Sequence, residues 1–123
     1  MKRPGSRRER GLRAERLARS FLEERGLRLL ASNYRTRRGE IDLIMQDGET
    51  VVFVEVRARA RTAFMDPAES VDAAKQARLV YAGLHWLQAH RLSDRAACRF
   101  DVILCTGDED VQNIRWITDA FGA

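Results

Sequence analysis

The strongest constraint on how this chain folds lies between Gly39 and Arg61, GEIDLIMQDGETVVFVEVRARAR, where two strand-like arms flank a turn signal and both arms carry acids. Asp47-Gly48 is a pair favoured in two-residue hairpin loops, whose central positions need positive φ. Ahead of it Ile41, Leu43 and Met45 alternate against Asp42 and Ile44, and after it Val51 to Val56 is rich in β-branched residues. With Asp47 and Gly48 as the loop, Ile44 faces Val51, Asp42 faces Phe53 and Glu40 faces Glu55. Facing residues share a sheet face, as do residues two apart. Glu40, Asp42, Glu55 and Arg57 therefore project from one side, with Asp42 and Glu55 as diagonal neighbours. A four-residue loop preserves these faces, whereas a three-residue loop with a bulge would flip one arm's set.

Crowded carboxylates need an offset, because two unit charges about 5 Å apart repel by roughly 3 kcal/mol at an effective dielectric of about 20. A proton, a cation such as Arg57, or a divalent metal would supply it, and clustered Asp and Glu oxygens suit Mg²⁺ or Mn²⁺. The same pattern also fits a solvated acid rim with Arg57 paired to Glu55.

Charge is divided between the two parts of the chain. Met1 to Arg38 holds 13 Lys and Arg against 4 Glu, a balance of +9, and the remainder holds 9 against 14, a balance of −5. A basic segment of this kind attracts a phosphate backbone by counterion release and steering; the plainer alternative is a solvated helix face with a frayed tail. A basic stretch beside an acid cluster is what a metal-assisted phosphodiester site requires. With 123 residues, 45% hydrophobic and 33% charged, the chain reads as one globular domain over residues 1–123, with residues 1–5 a flexible basic tail. No apolar run approaches the ~18 residues of a membrane span. No apolar segment follows the basic start, so no secretory signal is read and a cytoplasmic protein is expected. Cys98 and Cys105, seven apart on one strand, face opposite sides and cannot bridge. Neither has a second ligand at zinc spacing, so both read as buried thiols, and His85 and His90 as surface or packing residues.

Taken in order, a first helix starts at Ser6, at capping-box spacing from Glu9, and ends near Arg25 before Gly26. Ala14, Ala18, Phe21 and Leu22 form its apolar stripe. Glu15 stands on the shoulder of that stripe and needs a partner, either Arg19 four residues on or the acid face of the hairpin. Leu27 to Tyr34 is a first strand, and Arg35, Arg37 and Arg38 form a basic connection flanking the acids. Arg57, Arg59 and Arg61 share the acid-bearing side. Thr62 to Asp66 reads as a loop, and Asp66-Pro67 with Glu69 starts a second helix running to about Ala89. Its inner face is expected to be Val71, Ala74, Ala77, Tyr81, Leu84 and Leu87 or Gln88. Lys75 and Arg78 share a side near it and would reach a phosphate or an acid, or form an exposed basic patch. Arg99 to Cys105 is a strand parallel to the hairpin's second arm through a right-handed crossover. Gly107 to Asp110 is an acidic turn, and Ile114 to Ile117 an edge strand. The result is an α/β chain of order αβββαβ(β), a mixed sheet flanked by helices.

Glu15 in an Ala-Glu pair, GEIDLI at Gly39–Ile44, FVEVR at Phe53–Arg57, Lys75 with Arg78, and RFDV at Arg99–Val102 together resemble the YraN-type family of uncharacterised bacterial proteins, over nearly the whole chain. That resemblance implies a restriction-endonuclease-like core, the PD-(D/E)XK fold, related to Holliday junction resolvases. It implies metal ligation by Asp42 and Glu55, a helix-borne acid at Glu15, and Arg57 in the motif's lysine position. A lysine there can orient or deprotonate the attacking water, whereas arginine supplies charge and directed donors. The Phe-Gly-x-Pro pattern expected before the second helix reads Phe64-Met65-Asp66-Pro67 and lacks its glycine.

The function expected is a Mg²⁺- or Mn²⁺-dependent nuclease acting on nucleic acid, DNA before RNA, with Arg35, Arg37, Arg38, Arg59, Lys75 and Arg78 as backbone contacts. A homodimer follows by analogy with resolvases. The alternatives are a nucleic-acid-binding module of the same fold that does not cut alone, or an assembly protein whose acids form structural ion pairs.

Overall fold

The computed structural model describes residues 7–59, 71–92, 97–107 and 112–122. The basic tail, the Ser6 cap, Arg61, the stretch from Thr62 through the Asp66-Pro67 helix start, and Asp108–Asp110 lie outside them. Helix α1 covers Arg7–Glu24, followed by β1 (Arg28–Arg35), β2 (Glu40–Asp47), β3 (Thr50–Arg59), α2 (Ala73–Ala89), β4 (Ala97–Gly107) and β5 (Gln112–Phe121). The five strands form one sheet in the order β1-β2-β3-β4-β5. Every neighbouring pair is antiparallel except β3 and β4, which run parallel as expected. The order αβββαββ is the one anticipated, with the last strand ten residues long rather than four.

Helix α1 lies on one face of the sheet. Ala14, Ala18 and Leu22, spaced every four residues, are buried there with Leu43, Met45, Val52, Val54 and Ile103. The helix ends in a Schellman motif: Gly26 takes φ +91, its N–H donates to Glu23 O at 3.0 Å, and Leu27 N–H donates to Leu22 O at 3.1 Å. Helix α2 packs on the opposite face, where Ile41, Ile44, Val51, Phe53, Phe100 and Val102 form the second core cluster. Cys98 packs against this cluster and Cys105 within the other, so the two thiols do face opposite sides and both are free.

The hairpin register differs from expectation by one step. Asp47 pairs with Thr50, Gln46 with Val51 and Ile44 with Phe53, which leaves Gly48-Glu49 as the loop. Gly48 has φ +59 and Glu49 is not among the residues of positive φ, the arrangement of a turn with glycine at its first central position. Asp-Gly can sit astride such a turn as easily as inside it. Both registers preserve the parity of facing residues, so Ile44, Val51 and Phe53 share a face as read from the sequence.

Helix α2 corrects a larger expectation. It starts at Ala73, with Asp72 as its cap accepting Lys75 N–H at 2.8 Å. Its buried residues are Leu79, Ala82, Gly83, Trp86 and Leu87, while Ala74, Ala77, Tyr81, Leu84 and Gln88 face out. Both stripes have helical spacing, so apolarity alone does not choose between them. Gly83 does: a Cβ there would lie 3.1 Å from the rings of Phe53 and Phe100, so the helix seats its glycine on that aromatic pair. Trp86 then meets Phe53 edge-on, centroids 6.2 Å apart.

Gly39 ties α2 to the hairpin. A Cβ at this position would run into the carbonyl oxygen of Arg78 and lie 2.9 Å from its carbonyl carbon. Gly39→Ala is expected to push α2 off the start of β2 and to lower stability by roughly 1–3 kcal/mol. A urea titration checks this, and an unchanged midpoint would mean that the close approach is not needed.

At the other end of the sheet Asp101, wholly buried, locks β4 to β5. It accepts Arg99 Nε at 3.1 and 3.2 Å, Trp116 Nε1 at 2.9 Å and the Asp119 N–H at 2.9 Å. Arg99 continues to Asp47 at 3.1 Å and so ties in the hairpin. Among the described residues no helix is long and apolar enough to cross a membrane.

Candidate functional site

The paired residues of β2 and β3 begin at Leu43 and Val54, and one step beyond them stand Asp42 and Glu55. They are opposite neighbours rather than the diagonal ones of the expected register. Asp42 Oδ2 accepts Val56 N–H at 2.8 Å, so a side chain takes up a backbone donor where the strand pairing stops.

Across the other edge of β2, Asn33 lies between the pairs Ser32–Leu43 and Tyr34–Ile41, opposite Asp42. Asn33 adopts φ +52, a left-handed conformation that asparagine tolerates better than most residues. Past this point the alternation changes. Leu43 and Met45 belong to the α1 cluster, whereas Ile41 joins Ile44 in the α2 cluster with Tyr34 packed against it. Asp42 sits at this change of facing and is reached from both layers.

From the α1 side comes Glu15, next to the buried Ala14, hydrogen-bonded to Asp42 and to Asn33. Burial pushes its carboxyl up to about 6, with further upward contributions from the charge of Asp42, the hydrogen bond to it and the charge of Glu40; Asn33 pulls the other way. Arg19, the alternative partner, pairs with Glu23 at 3.3 Å. From the α2 side comes Glu55, 4% exposed and hydrogen-bonded to Asp42. Burial raises Asp42 from its ordinary 3.8 to about 8, helped by the hydrogen bond with Glu55 and its charge, and opposed by Val56 N–H and Lys75. The three acids form a chain, Glu15–Asp42–Glu55, in which protons partly offset the repulsion.

Two cations close the Glu55 end. Arg57 Nη2 and Lys75 Nζ both approach Glu55 Oε2, at 3.3 and 3.4 Å. The Arg57–Glu55 pair is the contact that the solvated-rim reading anticipated, but here both side chains are largely covered. Among the described residues Arg57 Nε, itself buried, meets no hydrogen-bond acceptor. That orphan donor beside an acid pair is suited to an anion's oxygen.

The remaining residues singled out in the sequence lie around this core. Arg35 pairs with Glu40 at 3.4 Å on exposed side chains. Arg37, Arg38 and Arg78 are exposed, and Arg59 donates to Ala58 O at 2.9 Å farther along β3. Asn33 escaped the sequence reading, although an asparagine inside an otherwise strand-like run is the kind of signal that marks a left-handed position.

Among the described residues no three His, Cys, Asp or Glu side chains converge closely enough to hold a metal ion by themselves. The donor set that fits is therefore the oxygen pair of Asp42 and Glu55. Mg²⁺ commonly takes one or two carboxylates and fills its other positions with water and substrate phosphate, so this pair suits it.

A family model described as "Uncharacterised protein family UPF0102" matches residues 14–105. A UPF0102 protein of Nitrosococcus oceani is 48% identical over 118 residues, 96% of this chain and 95% of its own length. One from Alkalilimnicola ehrlichii is 50% identical over 115 residues, 94% and 88% respectively. One from Coxiella burnetii is 44% identical over 110 residues, 89% of each. The matched span holds Glu15, Asn33, Asp42, Glu55, Arg57 and Lys75, and on this similarity the chain belongs to the uncharacterised protein family UPF0102, the YraN-type family that its motifs resemble.

Proposed function

We propose that the protein is a metal-dependent nuclease that hydrolyses phosphodiester bonds in nucleic acid, DNA rather than RNA. The observation that carries this reading is the Glu15–Asp42–Glu55 chain with Lys75 and Arg57 converging on Glu55. Asp42 and Glu55 would hold Mg²⁺ or Mn²⁺, which when bound polarises the scissile phosphate and acidifies a water for in-line attack. Glu15 holds Asp42 in position through their hydrogen bond, and Asn33 holds Glu15. Arg57 offers its Nε, which has no acceptor among the described residues, to a phosphate oxygen, where charge grows as the new bond forms.

The motif's lysine is arginine in this strand, yet Lys75 brings an ammonium to the same carboxylate from α2. A lysine can exchange a proton with an attacking water as well as supply charge, which arginine does not. Lys75 thereby takes the role that Arg57 vacates. Arg35, Arg37, Arg38 and Arg78 are exposed and would hold the backbone. A reducing cytoplasm suits the free thiols, and two such sites in a homodimer would permit paired cuts.

One observation favours a second reading, a binding module that cuts only with a partner protein: among the described residues no three acids converge on one point. Cleavage of labelled branched, flapped and single-stranded DNA with Mn²⁺ separates the two. Wild type is expected to cut one of these, and Lys75→Ala to cut about 100-fold more slowly with binding retained. Tight binding without any cutting by wild type would establish the second reading instead, and cutting restored by Arg57→Lys would trace the inactivity to the missing lysine.

A further inference from the structure

The outward face of α2 meets the end of β1 beside the acids. Tyr34 hydroxyl and His85 Nδ1 are joined at 2.6 Å, with ring centroids 5.9 Å apart. The His85 ring lies 6.4 Å from that of Tyr81, tilted by 32°. The Arg38 guanidinium lies over the Tyr81 ring, 5.4 Å from its centroid. Four planar groups are thus linked in series: Arg38, Tyr81 and His85 are exposed, Tyr34 is half-buried against the core, and Leu84, 49% exposed, adds an apolar neighbour.

This row adjoins the acid site. Arg78, whose carbonyl touches Gly39, is one turn before Tyr81 on α2, and Lys75 on Glu55 is one turn before Arg78. At ~1.5 Å of rise per residue, Tyr81 lies about 9 Å along the helix axis from Lys75, on the order of one or two nucleotides of extended strand. Between Lys75 and Leu92 the chain contains no acidic residue. A second copy of this face would bring Arg38 and Arg78 against their own kind, whereas a nucleic-acid strand supplies phosphates for the cations and flat bases for the rings.

We propose that Tyr34, His85, Tyr81 and Arg38 form a stacking platform for unpaired nucleobases. The substrate class is then nucleic acid with a single-stranded segment next to the cut. This deepens the nuclease reading and rests on it. The geometry is that of sequence-tolerant recognition: rings accept any base, and the flanking arginines track the backbone.

Fluorescence anisotropy without metal tests the platform on three labelled probes, an oligothymidine, an abasic strand of the same length, and a duplex. Wild type is expected to bind oligothymidine more tightly than the abasic strand. Tyr81→Ala is expected to loosen oligothymidine about tenfold and to leave the abasic strand and the duplex unchanged, while Tyr81→Trp restores the difference. Tyr81 is exposed, so the alanine leaves the core intact, which thermal melting verifies. Equal binding of oligothymidine and abasic strand by wild type, or an equal loss on both in Tyr81→Ala, overturns the platform and leaves the nuclease reading standing. In that case the stripe is reassigned to a protein partner. No binding to any probe removes the nucleic-acid reading and the platform together.

Discussion

Asp42→Asn is expected to abolish the heat of Mn²⁺ binding, to slow metal-dependent cleavage by at least about 100-fold, and to stabilise the metal-free protein at alkaline pH. The last effect carries the most information, because a simple loss of a structural contact would move stability the other way. Asp42 in the folded chain holds its proton up to about 8 against an ordinary 3.8. A carboxyl whose folded value is raised contributes stability that is fully present below about pH 4 and is lost as pH rises towards 8. Glu15, raised to about 6, acts in the same direction over a narrower window. Metal-free wild type should therefore show a Tm that declines from pH 5 to pH 8.5. Asparagine keeps an oxygen for Val56 N–H but carries no charge, so the decline in the variant should be shallower. Calorimetry with Mn²⁺ and thermal melts at the two pH values check all of this. Undiminished Mn²⁺ heat in the variant would remove Asp42 from the ligand set, and parallel pH slopes would remove the account of its proton.

The largest effect on stability is expected at Asp101, which pairs in register with Val54 of β3 and turns its carboxylate to β5. The side chain is 0% exposed and serves Arg99, Trp116 and the backbone of Asp119 at once. Asp101→Ala leaves those donors without their acceptor and a guanidinium without its main counter-charge. Removing one partner of a buried ion pair costs about 3–5 kcal/mol. At roughly 4 °C per kcal/mol for a chain of this size, Tm should fall by about 10–20 °C. Asp101→Asn, which keeps one carbonyl oxygen, should lie between the two. A loss within 1 kcal/mol in denaturant titrations of the alanine variant would show that water replaces the carboxylate without penalty.

How much of this was legible before folding depends on the kind of pattern involved. The hairpin arms, the α1 stripe and the parallel placement of β4 follow from periodicities of two and 3.6 and from the crossover rule. The meeting of Asp42 and Glu55 was legible because parity alone decides sheet face, and parity survived a one-step error in the loop. The seating of α2 was not, because two stripes shared the same spacing and the deciding residue was Gly83, whose contribution is the absence of a side chain. The change of facing at Asn33 was equally hidden, since a single positive φ leaves no mark on hydrophobic alternation. The choice of Glu15 between Arg19 and the hairpin depended on how α1 lies across the sheet. The role of Asp101 depended on Trp116 and Asp119, 15 and 18 residues away in the chain.

The sheet is laid down in the order of synthesis, with each strand beside the one made before it. Three of its four joints connect antiparallel neighbours, while the joint between β3 and β4 must wait for the segment containing α2. The largest single share of the loop-closure entropy in the sheet falls at that joint. Until it closes, β3 has a bare edge, and the buried run Val51–Val54 on that strand is open to pairing with another chain. The strand that carries Glu55 and Arg57 is thus also the one most exposed to misassembly on an emerging polypeptide. Gly83, by letting α2 settle on Phe53 and Phe100 across that joint, holds it shut once it has formed.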